Sequence, residues 1–147
     1  MKIVHMDKLI NLLKFIFYIS LIFLIVIYLF PGSLLGYFAF GDFGRQVSLA
    51  DNPIYQVIPS EYYWLGSAMN HLLFFLFFST LGLYIFSNNE NLNILFYSLL
   101  FFSVFLELLH IIIPKRAFEV YDLAANLIGV LFAYFLIIIY RFLIKDE

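Results

Sequence analysis

The chain has 147 residues, 65% of them hydrophobic and 12% charged, against about 45–50% and about 25% in soluble domains. That much apolar surface cannot be hidden inside one soluble domain of this size, so the composition excludes a soluble globular protein and implies an integral membrane protein. A net charge of −2 gives no support for nucleic-acid binding, and the absence of cysteine rules out disulfides, thiolate metal sites and thiol nucleophiles.

Met1 to Lys14 is a basic lead carrying Lys2, Lys8 and Lys14. The apolar run that follows, about 12–30, is interrupted only by Lys14 and Ser20. It reaches the roughly 20 residues that cross about 30 Å of hydrocarbon. It also exceeds the roughly 7–15 apolar residues of a signal peptide, which makes it the first transmembrane helix. Pro31 and Gly32 stop it.

Residues 31–68 form the one long connection. Gly36, Gly41, Gly44, Pro53 and Pro59 punctuate it too often for a spanning helix, and it carries Asp42, Arg45, Asp51 and Glu61. A connection of this length is often functional or partly disordered. Glu61-Tyr62-Tyr63-Trp64 reads as an interfacial belt. The second span covers about 69–86, opened by Asn70 and His71. Ser87 to Asn91 is a tight polar turn. The third span covers about 92–113 and ends at Pro114, and the fourth covers about 121–144. The twenty Phe and eleven Tyr read as lipid-facing bulk and interfacial belts.

Short links make consecutive spans antiparallel, so the predicted fold is all-α: a single membrane domain built as a four-transmembrane-helix bundle, with a long outer loop between helices 1 and 2. Four spans put both termini on one side, with Lys2, Lys8, Lys14, Arg141 and Lys145. The other side holds Arg45, Lys115 and Arg116. The excess of basic residues predicts cytoplasmic termini in a cell's inner (cytoplasmic) membrane.

This threading gathers scattered polar residues. The second span starts, the third ends and the fourth starts at the outer side, so His71, Glu107, His110, Lys115, Arg116, Asp122 and Asn126 come to a similar depth. Asp122, Asn126, Gly129 and Ala133, spaced by four, three and four residues, form one stripe of a helix. It is polar near the interface and small further in, and small residues let helices approach closely in lipid. His71, Phe75, Phe78 and Gly82 form a matching stripe on the second span. Glu107 and His110 share a face of the third, with Ser103 a turn below.

Each residue also has a structural reading. Glu107 can pair with Arg116 or His110, since a carboxylate left alone in a span costs about 2.5–3.5 kcal/mol. His71 can anchor a helix start. Asp122 suits an N-cap or first-turn acid. Lys115 and Arg116 can snorkel, and Asn126 can join helices by a hydrogen bond. The concentration of all of them at one end is harder to attribute to chance.

The run Glu107, Pro114, Arg116, Asp122, Asn126 and Gly129 resembles the signature of the VanZ-like membrane proteins, with His110 standing where that family usually has Gln. His71 matches the histidine of an upstream Asp-Lys-x-x-His element, whose acid and base are Ser67 and Ala68 here. The resemblance spans roughly residues 68–140. It implies a bacterial cell-envelope protein, in a family linked to glycopeptide (teicoplanin) resistance and to envelope polysaccharide genes, with no reaction assigned.

Three functions fit this reading. The first is a binding or accessory role, with Arg116, Lys115 and Arg45 engaging an anionic lipid headgroup or lipid-linked glycan, Glu107 and Asp122 orienting these cations, and His71 lining the pocket. The second is an intramembrane enzyme, with His71 or His110 as general acid/base and Glu107 orienting it. The third is a structural subunit of a larger membrane complex. Glu107 and His110 form an E-x-x-H pair, but the second copy that a di-iron bundle uses is absent, so neither a metal nor another cofactor is expected.

Overall fold

The computed structural model describes residues 2–30, 37–38, 41, 63–87, 90–114 and 116–144. Four helices make up the fold: α1 (Lys2–Leu29), α2 (Tyr63–Phe86), α3 (Leu92–Leu109) and α4 (Val120–Ile144). Each contains a stretch long and apolar enough to cross a membrane, namely Lys8–Leu29, Ala68–Phe86, Leu92–Leu109 and Val120–Ile144. At 1.5 Å per residue the shortest of these is about 27 Å long, close to the hydrocarbon thickness. The predicted all-α, four-span architecture is therefore the one observed. The long connection expected between the first two spans falls almost wholly outside the described residues.

Helix ends differ from the sequence reading where local chemistry intervenes. α2 starts at Tyr63, because the aromatic belt residues continue the helix instead of preceding it. α3 stops at Leu109 instead of Ile113. There the backbone tightens: His110, Ile111 and Ile112 donate to the carbonyls three residues back, each at 3.1 Å. Pro114 disfavours helical geometry for the residue before it, so the run 110–114 leaves the membrane helix as a turn. At the opposite end Arg141 donates to the Ser87 carbonyl at 2.9 Å and to its hydroxyl at 2.6 Å, tying the end of α4 to the end of α2.

Consecutive helices run antiparallel. Along α1 and α2, Tyr28 meets His71, Phe23 meets Phe74 and Phe17 meets Phe78. Along α3 and α4, Glu107 meets Asn126 while Asn93 meets Tyr134. The most extensive contact, however, joins the parallel pair α2 and α4. The reason is Gly129. A methyl group there would lie 2.6 Å from the Leu72 carbonyl oxygen and 2.9 Å from the Leu76 nitrogen, so the two backbones touch where Gly129 lacks a side chain.

The predicted stripes are the buried faces. Asp122, Ala125, Asn126, Gly129, Val130, Ala133 and Ile137 face inward from α4. Phe75, Phe78 and Leu83 do so from α2, and Ser103, Leu106 and Glu107 from α3. Leu24 and Tyr28, one turn apart, complete the core from α1. Outward positions such as Phe101, Phe135 and Phe142 are exposed and apolar, as lipid-facing side chains should be.

Candidate functional site

The end of α1, the start of α2, the end of α3 and the start of α4 meet at one end of the bundle. Five of the six sequence-selected polar residues join there in a single set, four of them through hydrogen bonds and Asp122 through an ion-pair contact with His71, together with a tyrosine that the sequence reading did not single out. Asn126 is at its centre, with no solvent exposure. Its Nδ2 donates to Oε2 of Glu107 at 3.5 Å, which turns its Oδ1 towards α1 and α2. That Oδ1 accepts from the Tyr28 hydroxyl at 3.2 Å and lies 3.1 Å from His71 Nδ1. The Tyr28 hydroxyl is itself 2.6 Å from the same His71 nitrogen. An amide oxygen only accepts, so the contact with Asn126 assigns a hydrogen to His71 Nδ1.

The other edge of His71 is aimed at α4. Its Nε2 stands 3.4 Å from Oδ2 of Asp122, an acid in the first turn of that helix. Asp122 therefore combines the first-turn position expected for it with a contact to the second span.

Glu107 is fully buried near the end of α3. Besides Asn126 it accepts from His110 Nδ1 at 3.2 Å and from the Glu119 backbone N–H at 3.4 Å. These three donors replace the water that the carboxylate lacks. Of the two partners weighed for Glu107, His110 is the one it meets. His110 is 5% exposed, and its ring stacks on Tyr28 with centroids 5.1 Å apart and planes 19° from parallel. Its Nε2 is buried without a hydrogen-bond partner among the described residues.

Arg116 departs from its expected place. It makes no ion pair among the described residues, so neither Glu107 nor Asp122 orients it directly. Instead its Nε donates to the Phe30 carbonyl at 3.3 Å and one terminal nitrogen to the Ile27 carbonyl. Carbonyls at the end of a helix lack intrahelical donors, and a guanidinium there satisfies them and complements the helix dipole. Burial lowers the Arg116 pKa, and the nearby Glu107 carboxylate acts in the opposite sense. Burial, with the nearby Asp122 and Glu107 carboxylates, raises the Glu119 pKa above the ordinary carboxyl value. Lys115 and Arg45 lie outside the described residues. Among the described residues no three His, Cys, Asp or Glu side chains group closely enough to ligate one metal ion.

Tyr28 was missed because one tyrosine among eleven carries no signal of its own. The available clue was its place in the last turn of α1, four residues after the inward-facing Leu24. Glu119 was missed because it enters through its backbone N–H, which composition does not reveal.

The site thus holds two imidazole–carboxylate pairs, His71 with Asp122 and His110 with Glu107, bridged by one amide. Such pairs suit proton exchange and hydroxyl recognition. No curated protein and no solved structure matches the chain. The family model described as VanZ/LLP1 matches residues 15–142, nearly the whole chain, and the protein belongs to that family.

Proposed function

We propose that this VanZ-family membrane protein binds an anionic lipid headgroup, or the phosphate of a lipid-linked glycan, at the polar end of its bundle. In this reading the polar end faces away from the cytoplasm and the protein serves the cell envelope. The observation that carries it is the position of Arg116: a partly buried guanidinium seated on the last turn of α1, beside a buried polar set. Two of its N–H groups are used on α1 carbonyls. A guanidinium has five, so donors remain for a phosphate, which it grips in bidentate fashion. The excess of basic residues that the sequence threading puts on the other side, such as Lys8, Lys14 and Arg141, supports the orientation.

The test is retention of phosphatidylglycerol by detergent-purified protein, read by native mass spectrometry. Arg116→Gln is expected to lose most of the lipid, and Arg116→Lys to retain an intermediate amount, because an ammonium cannot both hold two carbonyls and fork to a phosphate. Equal retention by wild type and Arg116→Gln, with both folded by their melting curves, would overturn the proposal.

A second reading has its own support. The paired imidazoles and carboxylates are groups an enzyme would use for general acid/base work on a lipid-linked substrate. His71→Gln should then abolish turnover of such a substrate.

A further inference from the structure

We infer that the ligand of this site carries a hydroxyl donor a few bonds from its phosphate, as a glycerol-phosphate or sugar-phosphate headgroup does. This rests on the anionic-headgroup reading and narrows it to a chemical class.

The argument starts from His110. Its Nδ1 is 3.2 Å from Oε1 of Glu107, an oxygen that also accepts the Glu119 N–H, while Oε2 accepts from Asn126. With the carboxylate accepting, the imidazole hydrogen belongs on Nδ1 and a lone pair remains on Nε2. That Nε2 is buried and unpartnered among the described residues. It is the buried ring nitrogen of the set for which the fold supplies no donor among the described residues. A buried acceptor without a donor is unfavourable, so a site that keeps one invites a donor from outside. Because Nε2 can only accept in this tautomer, the arriving group must be an O–H or N–H.

Geometry ties this acceptor to Arg116. The guanidinium holds the carbonyls of Ile27, just before Tyr28, and of Phe30, just past the end of α1. The Tyr28 ring stacks on His110. Phosphate donors and hydroxyl acceptor therefore both sit against the end of α1, the first on its backbone carbonyls and the second on its Tyr28 ring. A hydroxyl-bearing phosphodiester satisfies both. A phosphodiester without a hydroxyl satisfies only Arg116.

Two lipids of equal charge separate the cases: phosphatidylglycerol, whose headgroup bears free hydroxyls, and phosphatidylethanol, which has none. The purified full chain would be offered an equimolar mixture with matched acyl chains and read by native mass spectrometry. Phosphatidylglycerol should be retained about fivefold over phosphatidylethanol, the weight of one ordinary hydrogen bond. His110→Phe, which keeps a ring to stack on Tyr28, should bring the ratio to unity. His110→Gln should restore the preference, since its amide can donate to Glu107 while its carbonyl accepts the hydroxyl.

Equal retention of the two lipids by wild type, as expected if an internal water satisfies Nε2, would overturn the inference and leave the anionic reading standing. So would a preference that survives His110→Phe. Retention of neither lipid above phosphatidylcholine would sink the anionic reading itself, and the inference with it. Added glycerol 3-phosphate separates the two sources of this chemistry. Displacement of the lipid indicates recognition of a soluble ester, and no displacement indicates that the acyl chains are part of the ligand.

Discussion

Asn126 has no solvent contact, and both ends of its amide are committed: Nδ2 to Glu107, Oδ1 to Tyr28 and His71. Hydrogen bonds between membrane helices average only about 0.6 kcal/mol, because partners find substitutes elsewhere. Here two of the partners, Glu107 and Tyr28, are buried themselves, which limits the substitutes they can find. Asn126→Ala would leave a carboxylate oxygen of Glu107 one donor short and the Tyr28 hydroxyl without its acceptor. The expected loss is about 1–3 kcal/mol, the range for stranded buried polar groups. Thermal unfolding in detergent measures it, and a change below the membrane average would show that the network relaxes around the gap. Isosteric Asn126→Leu should lose as much or more, since it fills the volume without restoring the bonds.

Two glycines test the packing of elements. At Gly129 an added methyl meets backbone atoms of α2, the Leu72 oxygen at 2.6 Å and the Leu76 nitrogen at 2.9 Å. Backbone cannot yield without moving the helix. Gly82 faces Phe17 instead, with the nearest ring carbon at 2.9 Å, and a ring end can swing away. Overpacking costs about 1–3 kcal/mol. Gly129→Ala is expected at or above the top of that range and Gly82→Ala at the bottom, both read from melting in detergent. The effects should also differ in kind. Gly129→Ala separates α2 from α4 and so pulls His71 from Asp122 and Asn126. Gly82→Ala loosens the ring contacts of Phe17, chiefly its stack on Phe78, whose centroids are 4.8 Å apart, and its edge contact with Phe86. Comparable losses at the two positions would mean that the α2–α4 contact is not the tight one.

At the scale of the molecule, antiparallel threading makes a claim about sides. Ala117 and Glu90 are exposed residues at opposite ends of the bundle. The chain has no cysteine, so a single introduced one is an unambiguous label. Ala117→Cys and Glu90→Cys should react with a membrane-impermeant maleimide from opposite faces of the membrane. In intact cells, the proposed orientation has Ala117→Cys labelled and Glu90→Cys protected. Labelling of both from one face would break the bundle as described, and the reverse pattern would invert the orientation alone.

Hydropathy and length determined the four spans, because a bilayer accepts only helices of a certain length and apolar character, and both are legible residue by residue. The end at which the polar residues gather followed from the alternating direction of the spans, and the inward faces followed from helical spacing, as Asp122, Asn126, Gly129 and Ala133 illustrate. The run from Glu107 to Gly129 sufficed to suggest the family. Tertiary structure decided which polar group meets which. Glu107 chose His110 and Asn126 over Arg116, Arg116 turned to the carbonyls of α1, and Tyr28 joined residues 43 and 98 positions away. Periodicity says which side of a helix is buried but leaves free its rotation, tilt and choice of neighbour. Those were settled by packing, above all by two backbones meeting at a glycine.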